Sequence, residues 1–223
     1  MKPILFSPPM VRAILAGQKT QTRRVVKPQP RWIPLLDGPA LSNYDAWPKD
    51  DSCLTWDDII AKPEYYAKCG HCPYGGVGDR LWVREAWATD HSDLETVRAA
   101  HEDVMSGIGY GPYYKADTVH EHTGLTWRPS IFMPRWASRI SLEIVDVRVE
   151  RVQDITEADA EAEGCRAYTW TQYGVPAATE PASHAYAALW DSINGKRAPW
   201  ESNPWVWVVS FLVARAPQGE ANQ

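Results

Sequence analysis

Trp205-Val-Trp-Val-Val-Ser-Phe-Leu-Val213 is apolar at every position except Ser210. A strand with one face in water alternates apolar and polar residues, so a run like this needs cover on both faces. It falls well short of the roughly 20 residues that cross a bilayer, and no other apolar stretch approaches that length. The chain therefore has to build layers around a central or doubly covered strand. Its 223 residues, 44% of them hydrophobic, suit one sizeable domain or two small ones.

The elements that could cover such a strand are legible. Ser7 suits an N-cap, Pro8 a first helical position and Gly17 a left-handed stop, which predicts a short helix over residues 8–16. Thr20 to Val26 reads as a strand, as does Arg80 to Trp87 after the Gly78-Asp79 turn. Ser138 to Val152 is the clearest strand. Its apolar phase slips between Ile144 and Val145, which suggests a bulge. Thr156-Glu-Ala-Asp159 is a capping box opening a helix that Gly164 ends. A second helix covers about 183–193, with Tyr186, Leu189, Trp190 and Ile193 on one face and Asn194-Gly195 as its stop.

Between these lie two stretches with little periodicity, about 28–76 and 88–137, which read as long loop insertions. Residues 1–215 are expected to form a single domain and 216–223 a flexible tail. The order of helix, strands, helices and closing strand fits an α+β fold with a small mixed or barrel-like sheet. No Gly-rich phosphate loop or βαβ repeat supports a nucleotide-binding α/β fold.

Net charge is −5, which argues against a general polyanion binder. The distribution is uneven, however. Residues 1–36 carry seven Lys/Arg and no acid, leaving sixteen bases against all 28 acids in the rest. A basic end on an acidic body fits a local anion site. The N-terminal sequence lacks a secretory signal pattern, and four cysteines do not suggest a disulfide scaffold, so a cytoplasmic protein without membrane attachment is expected.

The basic end also holds the most functional segment, Ile14-Leu-Ala-Gly-Gln-Lys-Thr-Gln-Thr-Arg-Arg24. Lys19, Thr20, Thr22, Arg23 and Arg24 emerge together where a helix gives way to a strand. An amine, hydroxyls and two guanidiniums suit an anionic or carbonyl-bearing ligand; the plainer alternative is a solvated basic strand.

Two other constellations carry chemistry. Cys69-Gly-His71-Cys72 with Cys53 could complete a tetrahedral structural zinc site, although a lone CxxC is weak and isolated loop thiols are the simpler reading. Trp82, Trp87, Trp127, Trp136, Trp205 and Trp207 are mostly core candidates. Trp127-Arg128 and Arg135-Trp136 interleave arginine with tryptophan as single-strand RNA sites do. Glu85 is either a second carboxylate for ligand hydroxyls or an edge charge.

The 14–24 segment, Gly78-Asp-Arg-Leu-Trp-Val-Arg-Glu85, Ile155-Thr-Glu-Ala-Asp-Ala-Glu-Ala-Glu-Gly164 and the closing Trp205–Phe211 strand occur in an order that resembles the ASCH family. Leu189-Trp-Asp-Ser-Ile-Asn-Gly-Lys196 and Asn203-Pro-Trp-Val-Trp207 bring the likeness closest to the longer members encoded in phages and prophages, over nearly the whole chain. The resemblance implies a PUA-like β-barrel flanked by short helices and a ligand that is RNA or a modified nucleoside. It also implies a host-cytoplasm location if the chain is phage-encoded, in which case a protein partner of phage origin is a further candidate.

Small members of that family are amidohydrolases that remove acyl groups from acylated cytidines. Their Lys and Thr fall on Lys19 and Thr22 here, and their Glu on Glu163; no cofactor is implied. Other members look like ribonucleases, so a metal-independent ribonuclease and a non-catalytic RNA-binding module are the alternatives. Arg23 departs from the family pattern, standing where the enzymes carry an apolar residue. The expected cleft is lined by Lys19, Thr22 and Glu163, with Thr20, Arg23, Arg24, Glu85, Arg128, Arg135 and Trp136 on the substrate.

Lysine can act as a base only if its pKa falls from about 10.4 toward neutrality. Arg23 and Arg24 push it that way, and Glu163 pulls it back. Lys19 and Thr22 are out of register on a regular strand, so the chain must turn near Thr20 for both to reach one substrate.

Overall fold

A computed structural model describes residues 1–27, 29, 32–35, 38–41, 72–89, 112–117, 125–172 and 175–214. In chain order the elements are β1 (Lys2–Leu5), α1 (Pro8–Leu15), β2 (Gln21–Val25), β3 (Trp32–Leu35), β4 (Gly38–Leu41), β5 (Arg80–Arg84), β6 (Trp87–Ala88) and β7 (Tyr113–Tyr114). They continue with β8 (Ser141–Arg151), α2 (Glu157–Ala162), β9 (Tyr168–Gln172), β10 (Val175–Glu180), α3 (Ala182–Asn194) and β11 (Trp205–Ala214). Short 3₁₀ turns punctuate the connections.

Five strands form one mixed sheet in the order β1–β5–β8–β11–β2, and three further pairs, β3–β4, β6–β7 and β9–β10, lie outside it. β1 runs parallel to β5, β5 antiparallel to β8, and β11 antiparallel to β2. The apolar run at 205–213 is the interior strand that its pattern requires. Val206 and Val208 are buried, and so are Trp207, Val209 and Phe211, so side chains of both parities are covered. The small barrel is not reproduced among the described residues. β1 and β2 end the sheet order without pairing to each other, so the sheet stays open.

β1 was not foreseen from the sequence. It is four residues long with only Ile4 buried, and Pro3 is tolerated because the strand lies at the end of the sheet order. The β9–β10 hairpin was likewise unforeseen; its register shifts between Pro176 and Ala178. Within β8 the buried positions are Leu142, Ile144 and then Val147, with Val145 and Asp146 exposed, so the phase slip read in the sequence is present.

The chain divides into two compact units. The first comprises Met1–Gln18, Asp79–Glu143 and Leu212–Gln223; the second comprises Lys19–Gly78 and Ile144–Phe211. In the first unit, Ser7 holds the N-cap position of α1 but its side chain makes no capping bond, and Pro supplies the first helical residues instead. The helix ends as expected. Gly17 sits at φ +69, its N–H bonding Ile14 O while Gln18 N–H bonds Ala13 O, the paired pattern of a Schellman stop. Trp87, Met133 and Ala137 pack together, with Trp136 edge-on to Trp87 at 5.9 Å.

In the second unit the core gathers Val152, Ile155, Ala160, Tyr186, Trp190, Val206 and Val208. α2 has the capping box the sequence announces. Asp159 N–H bonds Thr156 Oγ1 at 3.1 Å, and Thr156 N–H bonds Asp159 in return. Glu157 accepts from Ala182 N–H at 2.8 Å and so caps the start of α3, tying the two helices together. On α3, Tyr186 and Trp190 are buried and Leu189 partly so, whereas Ile193 is 57% exposed, one turn beyond the core. Gly195 ends α3 without a positive φ. A Cβ there would lie 2.5 Å from Asp191 O, so close backbone approach demands the glycine.

No described helix is long and apolar enough to cross a membrane.

A candidate active site around Lys19 and Glu163

The site assembles where β2 begins and α2 ends, all within the second unit. Gly164 at φ +89 lets α2 close with a second Schellman pattern, Gly164 N–H to Glu161 O and Cys165 N–H to Ala160 O. The next carbonyls along are left for β2. Thr20 N–H bonds Ala162 O at 2.8 Å, and Lys19 Nζ bonds Glu163 O at 2.8 Å. The same ammonium meets Glu163 Oε2 at 2.5 Å. A cation at a helix C-terminus satisfies carbonyls that the helix leaves without partners and faces the negative end of its dipole. The local fold thus holds the amine and carboxylate in contact across 144 residues of sequence.

Both groups are out of water: Lys19 is 1% exposed and Glu163 5%. Burial drives the Lys19 pKa below its ordinary value; Glu163 pulls it up, and Arg24 pushes it down again. The sequence reading set Arg23 and Arg24 against Glu163; in the structure desolvation is the largest cause, and Arg24 adds a smaller downward push. A lysine so placed can give up and retake a proton nearer neutrality than an ordinary one.

Around this pair lies a closed ring of alternating charge. Arg23 Nε donates to Glu150 Oε1 at 3.0 Å, and its Nη2 also bonds that oxygen and lies 3.3 Å from Asp159 Oδ2. Arg148 completes the ring, reaching Glu150 Oε2 at 3.1 Å and Asp159 Oδ1 at 2.7 Å. Gln21 Nε2 donates to Asp159 Oδ1 at 3.1 Å. Burial raises the Asp159 pKa, but hydrogen bonds from Thr156 and Gln21 and the charges of Arg23 and Arg148 outweigh it and hold the value at about 2. Tyr186 lies beneath, its ring centroid 5.8 Å from the Arg23 guanidinium, with its phenol pushed up by burial and by Glu163.

The structure does not bring every expected group here. Gln21 and Arg23 both approach Asp159 and therefore share a face of β2, so alternation sends Thr22 to the other face. Thr22 is buried at 4% and paired with Val209 across the sheet. Thr20 is exposed. Arg23 is inside the site, but its side chain is fully buried and engaged by carboxylates.

Glu85 belongs to the first unit. There Arg139 grips it with Nε on Oε1 at 3.0 Å and Nη2 on Oε2 at 3.2 Å, while bonding Asp117 at 2.6 and 2.9 Å and lying 3.9 Å over Tyr114. Burial raises the Glu85 pKa in spite of Arg139. Also in that unit, Arg128 lies 5.9 Å over Trp87 and Arg135 lies 5.7 Å over Trp82, whereas Trp136 packs against Trp87.

Of the possible zinc ligands, Cys53, Cys69 and His71 lie outside the described residues. Cys72 is buried and is in no disulfide among the described residues, and no cluster of three metal-ligating side chains occurs among them.

The sequence reading did not single out Gln21, Arg148, Glu150, Asp159 or Tyr186 as part of the site. The capping box offered one clue, since it fixed Asp159 one helical turn before Glu163 and on the same side of α2. Arg148 and Glu150 alternate with the apolar residues of β8, which by itself reads as a solvated strand face.

No family model matches the chain, and neither a curated protein nor a solved structure is significantly similar to it.

Proposed function

We propose that this chain is an ASCH-type, PUA-like protein whose second unit binds a modified nucleoside, or a short single-stranded RNA carrying one, and hydrolyses an amide on its cytidine-like base. One observation carries the reading: a lysine amine shut away from water in direct contact with a buried carboxylate. Neutral Lys19 accepts a proton from the attacking water as its oxygen bonds to the acyl carbon. The carbon–nitrogen bond then breaks, and the ammonium returns the proton to the departing exocyclic amine. Glu163 orients the amine throughout and carries the balancing charge. Because Thr22 lies on the other face of β2, water is the nucleophile that this arrangement favours.

The same position of Thr22 supports a second reading. With Thr22 on the opposite face of β2 from Arg23, the expected threonine–lysine nucleophile–base pair is not assembled, as a non-catalytic RNA-binding module would not need one.

A panel of acylated cytidines and a short single-stranded RNA distinguishes the two. Under the first reading the unaltered chain releases carboxylic acid from at least one acylated cytidine, and Glu163→Gln slows release at least 100-fold, within the range assigned to general acid–base catalysis. Binding of RNA with no acid released from any substrate selects the module.

A further inference from the structure

Arg23 is the residue that the mechanism above leaves unused. Its guanidinium is anchored on Glu150 and Asp159 and backed by the Tyr186 ring, so it has little freedom to follow a ligand. What remains is Nη1, which is buried and has no hydrogen-bond partner among the described residues; it lies 3.5 Å from Glu163 Oε1, which is buried and likewise has none among them. The other oxygen of that carboxylate is taken by Lys19. Glu163 therefore stands between two cations, one titratable and one permanently charged.

We propose that Arg23 is a positioning residue that acts as a standing counter-ion to Glu163, so that Lys19 can release its proton without leaving a buried carboxylate unbalanced. With the ammonium present, and leaving out Asp146, which meets Arg148 with its own side chain 53% exposed, Lys19, Arg23 and Arg148 face Glu163, Glu150 and Asp159, three charges against three. Once the proton passes to water or to the leaving amine, two cations face three anions. Nη1 is then the charge directly opposite Glu163. The Lys19–Glu163 contact alone favours a protonated lysine; Arg23 shifts the balance toward the free amine because it competes for the same carboxylate. The other groups facing the pair are Arg24 on β2, the Cys165 thiol after α2 and the Tyr186 phenol on α3. Burial pushes both the thiol and the phenol up, which keeps them neutral. An apolar residue at position 23, which the resemblance gives the small amidohydrolases, would remove this counter-ion.

The inference rests on Lys19 as the base, but its test needs no substrate. The Lys19 side-chain carbon signal, assigned by its loss in Lys19→Arg, is followed by NMR across pH in the full-length protein labelled with ¹³C-lysine. In Arg23→Gln the midpoint should rise by about one pH unit or more, the usual size of a nearby-charge effect, and Arg23→Lys should restore most of it. Glu150→Gln should move it the opposite way, because Arg23 is then less neutralised by its own partner. This variant serves if Arg23→Gln does not fold. A mere loss of packing would not give shifts of opposite sign. An unchanged midpoint in folded Arg23→Gln, a rise in Glu150→Gln, or a shift produced only by Arg24→Gln would overturn the proposal while leaving amide hydrolysis standing. Absence of hydrolysis with the shifts present would remove the reaction and leave the counter-ion in place.

Discussion

The two units each bury a carboxylate against a cation, and the two pairs are built for different ends. Glu85 is 1% exposed and clasped bidentately by Arg139, a group that cannot lose its charge, is shared with Asp117 and reaches solvent. The variable partner there is the carboxylate, and burial moves its pKa upward, away from the charged form. Glu163 faces Lys19, which is wholly buried and titratable, and here burial moves the cation toward its neutral form. A fixed guanidinium on a protonatable acid makes a clamp. A softened amine beside a carboxylate that keeps a second cation is, under the proposal above, a proton-transfer device. The same burial thus has opposite consequences, decided by which member of the pair can titrate.

Truncation should separate the pairs most sharply. Lys19→Met leaves Glu163 buried without its main partner and should cost about 3–5 kcal/mol, whereas Lys19→Met/Glu163→Leu should recover most of that loss, since apolar replacement of a whole buried pair is often neutral or better. Arg139→Met should cost less, roughly 1–3 kcal/mol, because Glu85 is already displaced toward its neutral form and can protonate. Urea unfolding of the four proteins measures this. Equal losses for the two single variants would erase the distinction between clamp and device.

A smaller effect is expected at the support beneath Glu163. Thr156→Ala removes one half of the capping box of α2 and should cost about 1 kcal/mol. Asp159, the other half, is held at about 2 in the fold. Its stabilising contribution is therefore full above its ordinary value near 3.9 and is lost as pH falls through about 2. Acid unfolding in Asp159→Asn should accordingly be flatter than in the unaltered chain between pH 4 and about 2. An unchanged profile would show that the ring of charge does not support the site.

How much of this was written in the sequence depends on whether each contact is local. Gly17, Gly164 and the Thr156–Asp159 box are local signals, and all three sit where their spacing placed them, with helix ends at those positions. The run at 205–213 announced its own burial because both parities are apolar. The meeting of Lys19 and Glu163 was foreseen only through the resemblance; nothing in local spacing pairs residues so far apart. Arg148, Glu150 and Asp159 escaped notice because an alternating strand face and a helix cap have sufficient local explanations. β1 was missed because an edge strand with one buried residue carries almost no pattern. Thr22 lies on the opposite face of β2 from Gln21 and Arg23, as strand alternation requires.

The central claim is that position 19 must be able to give up a proton, and Lys19→Arg tests it most directly by converting the device into a clamp of the Glu85–Arg139 kind. The measurement is the initial rate of acid release from an acylated cytidine by the unaltered chain and by folded Lys19→Arg at the same pH. The account predicts turnover by the first and at least a 100-fold slower rate for the second, as expected when a general base is lost. Equal rates in the two proteins, or no release by the unaltered chain from any acylated cytidine, would contradict it.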